Sequence, residues 1–334
     1  MNNVNDFIVV TSRIRLARNL KNYNFPHRLS DDKAYEVLNL VFNACDNIGT
    51  FNNYKVTNLK EDVLVEMLQD RLVSQKLINN IKSGVCISND NSVSVMVNEE
   101  DVLREQCTIK GLSLKKAYDI INDIDNELSV YLEFAYDDKL GFLTACPTNI
   151  GTGLRASVML FLPGLSLTKN IEQVINTVSK MGISVRGAYG EGTSASGYLY
   201  QVSNQQTLGK TEQEIIQSVE STVLKICELE KKAREQLLEL NEIELKDDIL
   251  RAYGILTSCY KITSSESIEL LSKVKLGVSL NIITLKDDNV IDELLNTVNA
   301  VKINKISEKK LSAVERDIFR AQYLNRILKN AKII

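Results

Sequence analysis

The hydrophobic pattern of this chain changes period once, at Thr211. Before it, "FIVVTSRIRLA", "VCISNDNSVSVMVN", "LGFLTACPTN", "ASVMLFLP", "ISVRGAY" and "GYLYQVSN" read as short extended segments separated by turn signals. After it, "TEQE" forms a capping box of Thr211 with Glu214, and helical spacing runs through "ELEKKAREQLLELNEIELKDD" to "ISEKKLSAVERDIFRAQYLNRILKNAK". One architecture cannot accommodate both periods. The chain therefore reads as an α+β unit, 1–246, followed by a small all-helical unit, 247–334.

Within the first unit, helices are expected over "DDKAYEVLNLVFNAC", about 113–132 and about 168–181. The Asn-Asp-Asn turn inside "VCISNDNSVSVMVN" marks a hairpin, and hairpins outnumber β-α-β crossovers. That balance favours a largely antiparallel sheet flanked by helices over a doubly wound one.

Composition removes several function classes. At 334 residues with 44% hydrophobic and 25% charged content, the chain can bury an ample core. Its net charge of -3, without a polybasic run, argues against nucleic acid or a membrane surface as partner. No apolar run approaches the roughly 18 residues that a membrane span needs. "MNNVNDF" lacks the basic and apolar regions of a secretory signal, and none of the six cysteines falls in a C-x-x-C pair. A reducing, cytoplasmic setting is expected.

Two phosphate-binding patterns fail on context. "GTGLRA" fits a dinucleotide fingerprint, but β-branched and apolar residues follow where a helix must start. "LGKT" resembles the end of a P-loop, yet Asn204 stands where its first glycine is required.

The arginines form a better signal. Only 13 of the 40 basic residues are arginine, yet the basic residues at strand ends and glycine-rich turns are Arg13, Arg15, Arg104, Arg155 and Arg186. Arg13 and Arg15, two apart in an extended run, share a face. Arginine grips phosphate oxygens with a fixed fork of donors, which lysine cannot do. Five in such settings point to a polyanion, a nucleoside triphosphate above all. "VNEEDVLREQ" adds the opposite charge: Glu99, Glu100 and Asp101 in a row, which need open water or a cation to answer their repulsion.

"TSRIRLARN", "NEEDVLR", "CPTNIGTGLRASV", "RGAYGEG", "SNQQTLGKTEQEI" and "RDIFRA" resemble, in order over about residues 7–334, the motifs of the phosphagen (guanidino) kinases, in their bacterial protein-phosphorylating form. The resemblance implies the guanidino-kinase catalytic fold, with ATP held by arginines and Mg²⁺ bridging its phosphates. It places nucleotide contacts on Thr11, Ser12, Arg13, Ile14 and Arg15, on Arg71 in "QDRLVSQ", and on Arg104. Further contacts fall on Arg155, Ala156, Ser157, Val158 and Met159, and on Arg186, Gly187, Ala188, Tyr189, Gly190 and Glu191. Glu100 becomes the base that orients the acceptor guanidinium and takes its proton, Glu191 the second carboxylate, and Cys146 a residue tuning that site.

The resemblance also implies the activity: ATP-dependent phosphorylation of arginine side chains of proteins, marking them for stress-related proteolysis. Other phosphagen kinases carry a helical domain before S-x-R-x-R; here the motif begins at Ser12, so an open site suited to a protein substrate is expected. Arginine-bearing substrate proteins, a small activator protein and an AAA+ protease system are the implied partners, with a homodimer as the assembly. Arg316, Asp317, Arg320 and Ala321 of "RDIFRA" would sense phosphoarginine in the helical domain. A kinase of free arginine and a decayed phosphoarginine-binding adaptor remain the alternatives. Two departures stand out: Val102 and Met159 occupy positions where the family often has histidine. His27, the only histidine, is expected to be structural.

Overall fold

The computed structural model describes residues 7–187, 196–287, 289–329 and 331–333. In chain order, β1 (Val9–Arg18) leads to α1 (Asp31–Ile48), β2 (Phe51–Lys55), α2 (Glu61–Gln69), α3 (Gln75–Ile78), and the hairpin β3 (Gly84–Ser88)–β4 (Val93–Val97). Next come β5 (Leu103–Lys110), α4 (Leu114–Tyr131), the two-residue pair β6 (Tyr136–Asp137) and β7 (Gly141–Phe142), and β8 (Leu154–Phe161). Then follow α5 (Pro163–Leu167), α6 (Ile171–Ser179), β9 (Ile183–Gly187), β10 (Leu199–Asn204) and the long α7 (Glu212–Ser258). The chain closes with α8 (Ser264–Ser279), β11 (Ile283–Thr284), α9 (Val290–Thr297), α10 (Ala300–Ser307), α11 (Ala313–Leu328) and β12 (Lys332–Ile333).

Local chemistry explains the punctuation. Ser30 caps α1 by accepting from the Lys33 N–H, and Gly49, at φ 79°, ends it in the left-handed region that glycine tolerates. The β3–β4 turn closes on Asp90, whose carboxylate accepts from Ser88 Oγ at 2.6 Å and the Ser92 N–H at 3.0 Å. Thr211 and Glu214 form both halves of the capping box of α7. "LGFLTACPTN" departs from the extended expectation: only Gly141–Phe142 pairs, and Pro147–Asn149 makes a 3-10 turn. "GTGLRA" runs into strand β8, with Gly151 and Gly153 at positive φ, so no helix follows the glycines.

One sheet carries eight strands in the order β2-β3-β4-β5-β1-β8-β10-β9, with every neighbouring pair antiparallel. One face is apolar. Ile14, Leu16, Ala156, Val158, Leu160 and Val202 lie in a core with Leu114 and Ile121 of α4 and with Val219, Val223 and Ile226 of α7. A second core joins the distal half of α7 to α8, α9 and α11, and Phe161 at the end of β8 belongs to it.

Phe161 is the seam. The Arg234 guanidinium and the Lys275 ammonium lie 5.7 and 4.9 Å from its ring centre, and Arg234 pairs with the fully buried Glu230 at 2.7 Å. Glu230 in turn accepts from the Gly164 and Leu165 N–H groups at the start of α5. Helix α7 passes through residue 246 without interruption, and its non-helical residue is Asn241 (φ -138°, ψ 33°). The C-terminal part is helical apart from the short β11–β12 pair.

Candidate active site

Residues paired across an antiparallel ladder share a face of the sheet. Arg15 pairs with Gln106 of β5 and with Arg155 of β8, Arg13 pairs with Thr108 and Ser157, and Ala17 pairs with Arg104. Met159 pairs with Thr11 and Gln201, and Gln201 pairs with Arg186 of β9. Arg13, Arg15, Arg104, Arg155 and Arg186 therefore converge on the face opposite the helical core. Two cavities lie over it. One of about 410 Å³ is lined by Arg13, Arg71, Arg104, Met159, Arg186 and Gln201. The other, of about 180 Å³, is lined by Arg15, Glu100, Arg104, Cys146, Gly153 and Arg155. Arg104 is common to both.

Among the described residues, the face carries more positive charge than its own carboxylates answer. Burial, and then repulsion from Arg71, Arg104 and Arg155, lowers the Arg13 guanidinium to about 9. Burial, then Arg13, Arg104 and Arg155, holds Arg15 well below the usual arginine range, and burial followed by Arg186 lowers Arg155. Among the described residues, the Nε atoms of Arg15 and Arg155 are buried without a hydrogen-bond partner. Orphaned guanidinium donors in a cluster of like charges fit a bound polyanion, because its oxygens satisfy the donors and relieve the repulsion together.

The three consecutive acids have three different environments. Glu99 is buried: it accepts from Arg104 Nη1 at 2.5 Å and from Ser74 Oγ, and its other oxygen takes the Glu100 N–H. Asp101 is also buried, accepting from the Ala145 N–H at 2.6 Å and Asn19 Nδ2 at 2.7 Å, while burial raises its carboxyl above the usual range. Glu100 alone keeps its carboxylate open, 41% exposed and 3.7 Å from Lys76. Glu99 thus aims an arginine, Asp101 ties down the loop before Cys146, and Glu100 faces the smaller cavity beside Cys146. The Cys146 Sγ lies 3.0 Å from Thr148 Oγ1.

Alternation separates the other residues expected at the site. Thr11, Ser157 and Met159 share the arginine face. Ser12, Ile14, Ala156 and Val158 point to the other face of the sheet. Ile14, Ala156 and Val158 are buried in the helical-side core, and Ser12 donates to the Gly111 carbonyl and accepts from the Ser113 N–H. Arg71, at φ 61°, lines the larger cavity with Gly187. Ala188, Tyr189, Gly190 and Glu191 lie outside the described residues. Val102 is fully buried and donates its N–H to Asn19, so its side chain faces the core and not the cavity.

Several residues here were not singled out from sequence. Gln201 accepts from Arg13 Nη2 at 3.1 Å, Ser203 from Arg155 Nη2 at 3.3 Å, and Gln106 donates to the Arg71 carbonyl at 2.5 Å. Their signal was polar residues at every second position of strands otherwise buried. Gly153 is a further contributor: at φ 65°, any Cβ there would lie 2.6 Å from the Ala17 carbonyl.

In the helical part, Arg320 is 2% exposed and is held by carbonyls and Asp317. Its Nε donates to the Val298 carbonyl at 2.6 Å, and its Nη1 to the Ile262 carbonyl at 2.8 Å and to Asp317 at 2.6 Å. Four-residue spacing puts Arg316 and Arg320 on one side of α11, but that side turns inward at Arg320. Arg316 and Asp317 remain half-buried, and Ala321 is in the core.

A family model described as ATP:guanido phosphotransferase, C-terminal catalytic domain, matches residues 34–233, and one described as Protein-arginine kinase McsB C-terminal domain matches residues 242–333. The protein-arginine kinase of Halothermothrix orenii is 43% identical, over 95% of this chain and 92% of its own. Among solved structures, a lombricine kinase superposes with TM-score 0.61 at 26% identity, covering 70% of this chain and 68% of that one. The duplicated taurocyamine kinase of Schistosoma mansoni gives 0.63 at 28%, covering 80% of this chain and 39% of that one. With an arginine-lined antiparallel sheet matching these kinases, and both family models met in order, the chain belongs to the ATP:guanido phosphotransferases, among the protein-arginine kinases.

Proposed function

We propose that this enzyme transfers the γ-phosphoryl group of ATP to arginine side chains of proteins. The observation that carries the reading is the shared wall: Arg104 borders both the arginine-lined cavity and the smaller one holding Glu100 and Cys146. A triphosphate in the larger cavity would point its terminal phosphate towards an acceptor in the smaller one. Arg13, Arg15, Arg104, Arg155 and Arg186 hold phosphate oxygens, with Arg71 at the nucleotide side.

A guanidinium is a poor nucleophile because its lone pairs are delocalised. Glu100 accepts a hydrogen bond from it, turns one nitrogen towards phosphorus, and takes its proton as the N–P bond forms and the bond from γ-phosphorus to the ADP oxygen breaks. Glu191 is assigned the second carboxylate by family resemblance. Cys146 sits beside that guanidinium and adjusts its electrostatics; transfer is direct. Mg²⁺ would be held by the phosphates of ATP, where it would neutralise developing charge.

We place the catalytic part at 1–246 and the helical part at 247–334; the kink of α7 at Asn241 lies near that boundary, and Leu245 just before it already packs in the core of the helical part. Exposed Leu240 and Ile243, three apart beside the Asn241 kink of α7, offer apolar surface suited to a second subunit. Arg316 and Asp317 are our assignment for phosphoarginine binding, with Arg320 anchoring Asp317. Family resemblance extends the proposal to a small activator, an AAA+ protease, a stress role and a cytoplasmic location.

Incubation with ATP, Mg²⁺ and a mixed protein substrate, followed by phosphosite mapping at neutral pH, tests the reading. Phosphoryl groups on arginine nitrogen, lost in acid, are the expected result. Acid-stable label on serine or threonine would overturn it.

A further inference from the structure

Glu100 faces two cavities, and only one of them contains the arginines. On its other side lies a cavity of about 300 Å³, walled by Glu99, Glu100, Lys76, Asn80, Ala145 and the Pro26–His27 turn. Its walls are pinned. Asn80 Nδ2 donates to the Asn98 carbonyl at 2.8 Å, the Ala145 N–H is held by Asp101, and Ser74, the N-cap of α3, bonds to Glu99. Lys76 stands on that short helix with its ammonium 3.7 Å from Glu100.

The charges in this cavity are balanced only until an acceptor arrives. Glu99 is already committed to Arg104. When Glu100 turns to an incoming guanidinium, Lys76 loses its carboxylate and faces a second cation, a like-charge contact. Water can solvate the displaced ammonium, but an anionic side chain next to the acceptor arginine would answer it directly.

We propose that this cavity is the subsite for the residues flanking the target arginine, and that Lys76 makes it selective for acidic neighbours. The inference rests on the arginine-kinase reading above. It assigns to Lys76 two states: paired with Glu100 when no acceptor is bound, and paired with an Asp or Glu of the substrate when one is. A basic neighbour would meet Lys76 and the acceptor guanidinium together and be disfavoured. Lys76 is a specificity residue; it takes no part in the proton transfer.

The test uses the full-length enzyme with ATP, Mg²⁺ and three synthetic peptides, each with one arginine flanked by Glu, Gln or Lys. For the unaltered enzyme, kcat/KM should fall in the order Glu, Gln, Lys, each step roughly threefold, the scale of a partly exposed ion pair. Lys76→Met should flatten the series and Lys76→Glu should invert it, with KM for ATP unchanged. Lys76 is 60% exposed, so the variants should keep the melting temperature of the parent. An identical preference in the parent and Lys76→Glu, or none in the parent, overturns the proposal. Absence of N–P product from every peptide and from the mixed protein substrate would instead overturn the kinase reading.

Discussion

Arg15 of β1 and Arg155 of β8 are direct cross-strand partners, and the Nε of each is buried without a hydrogen-bond partner among the described residues. Like charges opposite each other weaken a sheet. Their pairing at its centre is a local cost that a bound polyanion offsets.

Arg15→Lys and Arg155→Lys should therefore each lower kcat/KM at least tenfold although charge is kept, because a fork becomes a point charge. Steady-state kinetics with varied ATP check this. Near-normal values for both would remove them from phosphate binding.

Glu100→Gln should cut phosphoryl transfer by roughly 10²- to 10⁴-fold with ATP affinity intact, the usual loss for a general base. Glu99→Gln should behave differently: it leaves Arg104 without its charged partner, so ATP affinity should weaken and the melting temperature fall. Nucleotide titration and thermal melts on the two variants separate the roles, and matching profiles would refute the division.

Gly153→Ala forces a Cβ to within 2.7 Å of Arg18 Nη1 and 2.6 Å of the Ala17 carbonyl, at φ 65°. Strain of about 1–3 kcal/mol is expected, lowering both denaturation midpoint and turnover because β1 and β8 carry the arginines. A variant as stable as the parent would show that the turn adjusts freely.

Glu105 in β5 is buried with neither carboxylate oxygen hydrogen-bonded among the described residues. Burial first, and then the charge of Asp125, holds its carboxyl well above the usual range. The folded chain thus keeps this proton to a higher pH than the unfolded chain does. Its contribution favours folding below the ordinary carboxylate range and is lost as pH rises through the raised value. Glu105→Gln should gain melting temperature relative to the parent between about pH 5 and about pH 8. A constant difference across that range would contradict the assignment.

Arg320→Ala leaves the Val298 and Ile262 carbonyls and Asp317 without their donor, so the helical part should lose about 1–3 kcal/mol per stranded group. Arg316→Ala strands only the Leu311 carbonyl, so it should cost less stability than Arg320→Ala while abolishing phosphoarginine binding in calorimetry. If Arg316→Ala binds as the parent does, the sensing site lies elsewhere.

Period-two alternation made Arg13 and Arg15 legible as one face, and the Thr211–Glu214 box marked the start of α7 to the residue. The same alternation puts Ser12, Ile14, Ala156 and Val158, which the motif stretches include, on the opposite face. Gln106, Gln201 and Ser203 were missed because a polar residue in a strand reads as solvent-facing until the opposite strand is known.

Sequence by itself determined the residue types and their local faces: which strand positions alternate, where helices are capped, and that arginine stands in the extended and glycine-rich segments. Those properties follow from backbone geometry over a few residues. Tertiary structure alone decided that β1, β5, β8 and β9 bring five arginines onto one face. It also decided that only Glu100 of three adjacent acids stays open, and that Arg320 turns inward while Arg316 does not. Strand register and helix orientation are set by long-range hydrogen-bond ladders and by burial of distant apolar surface, and neither is written in the spacing of neighbouring residues.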